Sequence, residues 1–408
     1  MRRTTIVIVC VLGAALVVAL PGTPARAAFA STNGLIAYVS DPTGASDILA
    51  VDPAGGGPVT LTETPDVRDL APAWSPDGRH LVFTRTLRDG GKPDLNLMNA
   101  NGSARQRILQ SPVAERDPSW SPDGTRIAYA ARIGIDGPFR IFVAAADGTG
   151  AVQLTSHTEG DADRAPVWSP DGTKIAFASD RDGGFPEIYL MNAGGSGQMR
   201  FTTNTSIDGN PSWSPDGTKL LVERCCGDGT SEIYAIDLAT RAETDLTLST
   251  EAQEFDPVWS PDGAKIAYVA FPAGGGNIDI WTMNADGSGQ NRLTTAPEPD
   301  LAPSWQPVPV CTITGTDHAD ELVGTTGDDV ICGMGGADTI HAGLGNDLVL
   351  GGAGNDVLLE GQEGNDLIYG EQGNDVLDGG PGFDVLDGGP KVDACLAGLD
   401  GAITRECE

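Results

Sequence analysis

Apolar residues in this chain fall in short runs, and turn residues cut each run off. Between residues 34 and 305 the runs are typified by Leu35-Ile36-Ala37-Tyr38, Ile175-Ala176-Phe177-Ala178 and Ile188-Tyr189-Leu190-Met191. Runs this short, bounded by Gly, Pro, Asp and Asn, predict strands; a helix needs a longer stretch at a 3.6-residue period. Beyond residue 310 the pattern changes. One apolar residue recurs every nine or ten positions, at Leu322, Ile331, Ile340, Val349, Leu358, Ile368, Leu377 and Leu386. The chain therefore reads as all-β, in two parts with different repeats.

The first part repeats at the scale of a four-stranded sheet. Trp74-Ser75-Pro76-Asp77-Gly78 returns with the same five letters at Trp120, Trp168, Trp213 and Trp259, and in degenerate form as Trp305-Gln306-Pro307. The tryptophans are 46, 48, 45, 46 and 46 residues apart, room for four short strands per unit. In each unit a strand ends at Trp, Pro-Asp-Gly makes a turn with glycine at positive φ, and further strands follow. The ends of the array are complementary. The chain enters on Gly34-Leu35-Ile36-Ala37-Tyr38, a second strand lacking its Trp strand, and leaves on Ala302-Pro303-Ser304-Trp305. Joining them completes a unit from both ends and removes every open sheet edge. These motifs resemble the PD40/WD40-like repeats of TolB-type propellers over about residues 33–308. The resemblance implies a six-bladed β-propeller used mainly to bind proteins. Related propellers accompany the catalytic domain of prolyl-oligopeptidase-type peptidases and occur in some polysaccharide lyases.

In the second part aspartates keep step with the apolar residues, at Asp320, Asp329, Asp338, Asp347, Asp356, Asp366, Asp375, Asp384 and Asp393. Only the step from Asp356 to Asp366 is ten; the others are nine. Glycines precede most of the aspartates, as in Gly351-Gly352-Ala353-Gly354-Asn355-Asp356, and permit positive φ and close stacking of turns. A single unit cannot bury its one apolar residue, so stacking is required. With two units per coil, Asp338 approaches Asp356 and Asp366 approaches Asp384, and carboxylates so placed repel unless a cation intervenes. The pattern resembles the RTX, or haemolysin-type, calcium-binding repeat over roughly residues 315–393. It is strongest from Gly333 to Asp387 and weaker at Asp317-His318-Ala319-Asp320, which lacks the glycines. The resemblance implies a parallel β-roll with Ca²⁺ between turns, held by the nine aspartates and by backbone carbonyls. The inserted residue near Glu360 is expected to disturb the pairs Asp347/Asp366 and Asp356/Asp375.

Charge agrees with this reading. The formal charge is −32 over 408 residues, and residues 311–408 hold 20 acidic and 2 basic residues. Such a segment repels itself without cations and does not suit nucleic acid, whose phosphates need a basic surface. It is expected to fold with calcium and to expand without it. The amino terminus reads as a secretory signal over 1–27: Arg2-Arg3, an apolar stretch from Ile6 to Leu20, and Ala25-Arg26-Ala27 before the cut. The expected domains are then 28–308 for the propeller and 309–408 for the roll, with no transmembrane segment once the signal is removed. Export favours disulfides among the six remaining cysteines. Proximity along the chain pairs Cys311 with Cys332 and Cys395 with Cys407. Cys225-Cys226 stands either as a vicinal disulfide or as two thiols.

Two sets of acids recur in the first part. Asp69, Glu115, Asp163, Asp208, Glu254 and Asp300 each lie five residues before a tryptophan. They either ring the mouth of a channel, attracting a cation or basic group, or serve local turns. Asp47, Asp94, Glu187, Glu232 and Asp279 precede the third strands and read as contacts between blades. No G-x-S-x-G or H-E-x-x-H occurs, and His80, His157, His318 and His341 are scattered. The expectation is a secreted or cell-surface, calcium-binding, non-enzymatic protein whose propeller recognises a protein or other cell-surface ligand. The competing expectation is a carbohydrate- or peptide-processing lyase or hydrolase with its site on the propeller face, marked by a His/Arg/Glu cluster there.

Overall fold

The computed structural model describes residues 32–407 apart from 42–44, 89–90, 101, 110, 135, 158–160, 226–229, 249–251, 273–274, 309–310, 383, 390, 397–402 and 406. The proposed signal and Cys226 lie outside the described residues. All regular structure among the described residues is β, and no helix there is long and apolar enough to cross a membrane. The chain divides into two compact units between Val308 and Pro309.

The first unit holds four four-stranded antiparallel sheets and one of eight strands, in a propeller-like arrangement. The eight-stranded sheet consists of two antiparallel runs joined by a single parallel pair, Ser231 with Gln253. Each Trp strand pairs with the apolar strand after it, as Asp163–Trp168 does with Lys174–Ser179. The exception is the last Trp strand, Asp300–Val308, which pairs with the first strand of the chain, Thr32–Ser40, as the complementary ends require.

The five-letter motif explains itself locally. Ser169 Oγ donates to Asp171 Oδ1 at 2.5 Å and accepts the Lys174 N–H at 2.9 Å. Asp171 Oδ1 also accepts the Thr173 N–H at 3.0 Å, and Gly172 has φ +68. Ser, Asp and Gly thus close one hairpin turn, and Ser121, Ser214 and Ser260 repeat the arrangement. The aspartate is acid-shifted accordingly: Asp123 is lowered to about 2, chiefly by the Ser121 hydroxyl.

The tryptophans fill the spaces between successive sheets. Trp168 packs with Ile175 and Phe177 of its own sheet and with Ile141 and Val143 of the one before. Trp305 packs with Ile36 and Tyr38 on one side and Val258, Val269 and Ile280 on the other. Truncating such a residue to alanine costs about 3–5 kcal/mol.

Three residues before each of the six repeat tryptophans the strand bulges. Ala71, Asp117, Ala165, Asn210, Asp256 and Ala302 have φ between +44 and +57, and the pairing register breaks at each of these places. A proline follows each of them. A bulge inserts a residue and re-aims the neighbouring side chains, here on the Trp strand of every unit.

The second unit is a parallel β-solenoid with two short strands per coil. One sheet stacks Ile313–Thr314, Val330–Cys332, Leu348–Leu350, Leu367–Tyr369, Val385–Asp387 and Ile403–Arg405. The other stacks Glu321–Val323, Thr339–Leu344, Leu358–Glu363, Val376–Asp378 and Ala394–Leu396. Its core is one side chain thick: Ile331, Ile340, Val349, Leu359, Ile368, Leu377 and Leu386, with Ala342 beside them. The inward residue of the fifth repeat is Leu359, not Leu358 as expected, because the inserted residue is Val357. Val357 bulges out, 62% exposed, and its N–H shares the Asp338 carbonyl with that of Leu358, at 2.8 and 3.4 Å. Register is therefore restored by Thr339 pairing with Leu358. Disulfides join Cys311 to Cys332 and Cys395 to Cys407. Cys395 pairs in register with Leu377 and so takes the inward position at the last coil.

Candidate metal centre and the acids of the propeller

The solenoid places its nine aspartates in two columns. Asp320, Asp338, Asp356, Asp375 and Asp393 precede strands of one sheet, and Asp329, Asp347, Asp366 and Asp384 precede strands of the other. Each carboxylate braces the coil before its own. Asp356 Oδ1 accepts the Asp338 N–H at 2.9 Å, Asp375 that of Asp356 at 2.8 Å and Asp393 that of Asp375 at 2.7 Å. The second column does the same: Asp366 Oδ1 accepts the Asp347 N–H at 2.8 Å and Asp384 that of Asp366 at 2.9 Å. Both ladders run unbroken past the insertion, so the expected disturbance of Asp347/Asp366 and Asp356/Asp375 does not occur. The Val357 bulge absorbs it.

The other oxygen separates the aspartates into classes. Oδ2 of Asp338, Asp356, Asp375 and Asp393 is buried without a hydrogen-bond partner among the described residues. A buried carboxylate oxygen left so is costly unless a cation supplies the missing interaction. A second acceptor converges on it. Asp338 Oδ2 and the Gly351 carbonyl both lie 2.4 Å from where a Cβ on Gly333 would sit. Around Gly370 the corresponding distances are 2.7 Å for Asp375 Oδ2 and 2.6 Å for the Gly388 carbonyl. Only glycine leaves that cradle open, and its oxygen-only lining suits a hard cation such as Ca²⁺. No three His, Cys, Asp or Glu side chains converge on one point among the described residues, so backbone oxygens must contribute.

Asp320 and Asp329 differ. Asp320 Oδ2 accepts the Thr316 N–H at 2.6 Å and its hydroxyl at 2.8 Å, and Asp329 Oδ2 accepts the same pair from Thr325. A threonine four residues before the aspartate was the sequence signal for this, since later repeats carry no hydroxyl there. Without a cation the stack is frustrated. Burial pushes Asp375 up to about 6, with the carboxylates of Asp356 and Asp393 adding to the effect. Asp338 and Asp356 are raised for the same reasons, burial first and the carboxylate of the coil before second.

In the first unit the six acids before the tryptophans are buried, at 0–5% exposed, which removes them from any open mouth. Three hold arginines, Arg85 and Arg224 from the neighbouring strand and Arg181 from just beyond its end. Asp69 takes Arg85 in two bonds of 2.7 and 2.8 Å, and Asp208 takes Arg224 in bonds of 2.7 and 3.0 Å. Asp163 gathers Arg181 at 2.8 Å, Ser179 at 2.6 Å and His157 at 2.9 Å. Against the cost of burial, Ser179, Thr155 and Arg181 hold Asp163 below the usual carboxylate range. Asp300 lacks an arginine, neither of its carboxylate oxygens has a hydrogen-bond partner among the described residues, and burial raises it to about 6. Of the second set, Asp94, Glu187 and Asp279 pair with Arg107, Arg200 and Arg292 on the next strand of their own sheet, at 3.0, 2.5 and 2.7 Å. These contacts lie within a sheet rather than between blades.

Comparison with known proteins agrees with both units. The family model for the TolB beta propeller domain matches residues 26–163 and 141–307. That for the RTX calcium-binding nonapeptide repeat matches 314–349, 323–358 and 358–386. A Tol-Pal system protein TolB of Anaeromyxobacter dehalogenans is 42% identical over 59 residues, 14% of this chain and 13% of the relative. The match thus spans about an eighth of the length of such curated relatives. Among solved structures, TolB from Acinetobacter baumannii aligns at 26% identity and TM-score 0.56, covering 67% of each chain. A putative TolB from Agrobacterium tumefaciens aligns at 19% identity and TM-score 0.53, covering 69% of this chain and 100% of its own, a likeness of fold.

Proposed function

The chain belongs to the TolB β-propeller family, and from that premise we infer an exported, calcium-binding, non-enzymatic recognition protein. Its first unit is a closed, six-bladed propeller offering a binding surface for a protein or cell-surface ligand. Its second is an RTX roll that orders around calcium. Support for closure comes from the last Trp strand. Gln306 accepts the Leu35 N–H at 3.1 Å and donates to the Gly78 carbonyl at 2.9 Å, and Ser304 Oγ accepts the Trp74 N–H at 3.4 Å. These bonds tie the end of the array to its beginning.

The observation that carries the calcium reading is the row of buried, unpartnered Oδ2 atoms on Asp338, Asp356, Asp375 and Asp393. These aspartates, with the glycine carbonyls beside them, are the proposed ligands. Asp347, Asp366 and Asp384 hold equivalent places in the second column, whereas Thr316 and Thr325 already occupy Asp320 and Asp329. Calcium, when bound, supplies the positive charge the stack lacks. The non-enzymatic reading rests on the propeller's acids. His157 and Arg181 form a polar cluster, but both converge on Asp163, a carboxylate already bonded by Ser179. That arrangement satisfies a buried charge; it does not set an acid and a base around a substrate.

Calcium titration of the full chain tests the reading. Amide exchange in residues 311–396 should slow sharply between EDTA and millimolar calcium, with a midpoint about 10⁻⁴ to 10⁻³ M, as in extracellular modules. Exchange in residues 32–305 should not change. Equal protection of residues 311–396 in EDTA and calcium would sink the calcium reading.

A further inference from the structure

In a chain of charge −32, two arginines hold equivalent positions on adjacent Trp strands. Arg116 is on Glu115–Trp120 and Arg164 is on Asp163–Trp168. Each immediately precedes the bulged residue of its strand, Asp117 at φ +53 and Ala165 at φ +47. The strands touch there: the Ala165 N–H donates to Asp117 Oδ2 at 3.4 Å.

Arg116 is held in place. Its guanidinium lies over the Phe139 ring, 4.1 Å from the centroid, and its Nε faces Asp117 Oδ2 at 3.4 Å. Arg164 has no ion-pair partner among the described residues. Its side chain is exposed to water, although burial is the largest influence on its charge. Burial first, and the Arg116 charge second, push Arg164 below the usual arginine range; Asp180, Asp117 and Asp163 pull the other way without restoring it. Asp163 is matched by Arg181 at 2.8 Å, and Asp180 bonds the Ala162 N–H. Asp117 and Asp180 both keep their negative charge near these guanidinium groups, and Arg132 adds a third guanidinium over the Phe139 ring, 5.3 Å from its centroid.

We propose that Arg116 and Arg164 form a carboxylate-binding site on the propeller, taking the carboxylate of a peptide. The planar fork of arginine matches a carboxylate in two parallel bonds, and stacking on Phe139 fixes one fork in advance. Burying part of Arg164 beside a like charge is costly in the free protein, and a bound carboxylate relieves it. The proposal rests on the propeller being a binding platform and names the chemistry of its ligand.

Arginine Nε–Hε NMR spectra of the full chain in calcium test it with four probes: acetyl-Ala-Ala-Ala with a free carboxyl end, its C-terminal amide, acetyl-Ala-Glu-Ala amide, and inorganic phosphate. Saturable shifts of the Arg116 and Arg164 signals are expected with a carboxylate probe and not with the neutral amide. A response to the free end alone assigns a chain terminus, and a response to the Glu peptide alone assigns an acidic side chain. Arg164→Gln should weaken that binding about tenfold or more, the scale of a lost charge-assisted bond. Arg164→Lys, which keeps charge but not the fork, should recover only part of it. Lys174→Gln, an exposed charge on another strand, should leave it unchanged. No saturable shift up to about 10 mM, tighter binding of phosphate, or equal loss in Lys174→Gln overturns the site. A partner protein that binds Arg164→Gln and the parent equally would remove this site and leave the platform; a carboxylate response with no protein partner would do the reverse.

Discussion

Asp356 and Asp320 carry the same side chain at the same phase of the repeat, yet their second oxygens meet different neighbours. That of Asp356 is buried and unpartnered, while that of Asp320 holds the Thr316 N–H and hydroxyl. Asp356→Ala should therefore raise the calcium midpoint by about tenfold, the scale on which a lost supporting group is felt at a metal centre. It should also remove at least one ion counted by calorimetry. Asp320→Ala should remove none, and neither should the exposed control Asp317→Ala. Equal effects of all three changes would mean that calcium merely screens charge. Asp300 poses a different question at the same scale. Its folded value is about 6, against 3.8 for the free side chain, with burial the main cause. The raised value means that the folded state binds the proton more tightly. The stabilisation is thus complete below about pH 4 and lost as pH rises through 6. The shift corresponds to about 3 kcal/mol at most. Every tryptophan lies before the roll, so tryptophan fluorescence in urea reports on the propeller alone. Asp300→Asn should gain stability relative to the parent as pH rises from 5 to 7.5; parallel curves would refute the assignment.

At the scale of the element, the roll tolerates an insertion and not a Cβ. Val357 sits outside the ladder, so its deletion restores the nine-residue step without touching a paired residue. The expected change in roll stability is within about 0.5 kcal/mol, as for other surface changes. Gly354→Ala should behave oppositely. A Cβ there would lie 1.5 Å from the Gly336 carbonyl, at φ +155, so the coils must part. Calcium-dependent amide protection should survive the deletion and fail in Gly354→Ala; the reverse order would place the insertion elsewhere. The propeller's elements are set by the same logic of turns. Ser, Asp and Gly of each repeat close one hairpin, which is why the motif was legible without coordinates.

For the whole molecule, the pairing of the array's last strand with its first is the decisive feature of the first unit. Asp300–Val308 pairs with Thr32–Ser40, residues nearly the full array apart. A chain of residues 28–308 should melt cooperatively in EDTA, since its core is tryptophan and aliphatic side chains with no cation in it. Ending the chain at Ser304 removes Trp305 and Gln306 and should abolish that transition. An unchanged melt would show that the ends do not hold the array together. On the proposed reading the roll depends on calcium and the array on its own ends, so the two units should respond independently to chelation.

The repeats alone determined the all-β class, the division near residue 308, the strand-ending tryptophans and the two-unit coil. Each follows from local periodicity and turn chemistry, which a single unit expresses by itself. The two cysteine pairings of the roll were also legible, because the partners lie close along the chain. Tertiary structure decided the rest. The acids before the tryptophans could be read as ringing a mouth or as serving local turns; all six are buried, and arginines match Asp69, Asp163 and Asp208 there. Leu359 rather than Leu358 faces inward because stacking against Ile340 chooses the register. Which aspartates spend their second oxygen on the turn before them depended on one threonine per turn, and the Arg116–Arg164 pair on two bulged strands lying side by side. Periodicity fixes what each residue's own segment does, whereas charge pairing between segments exists only once the segments have been brought together.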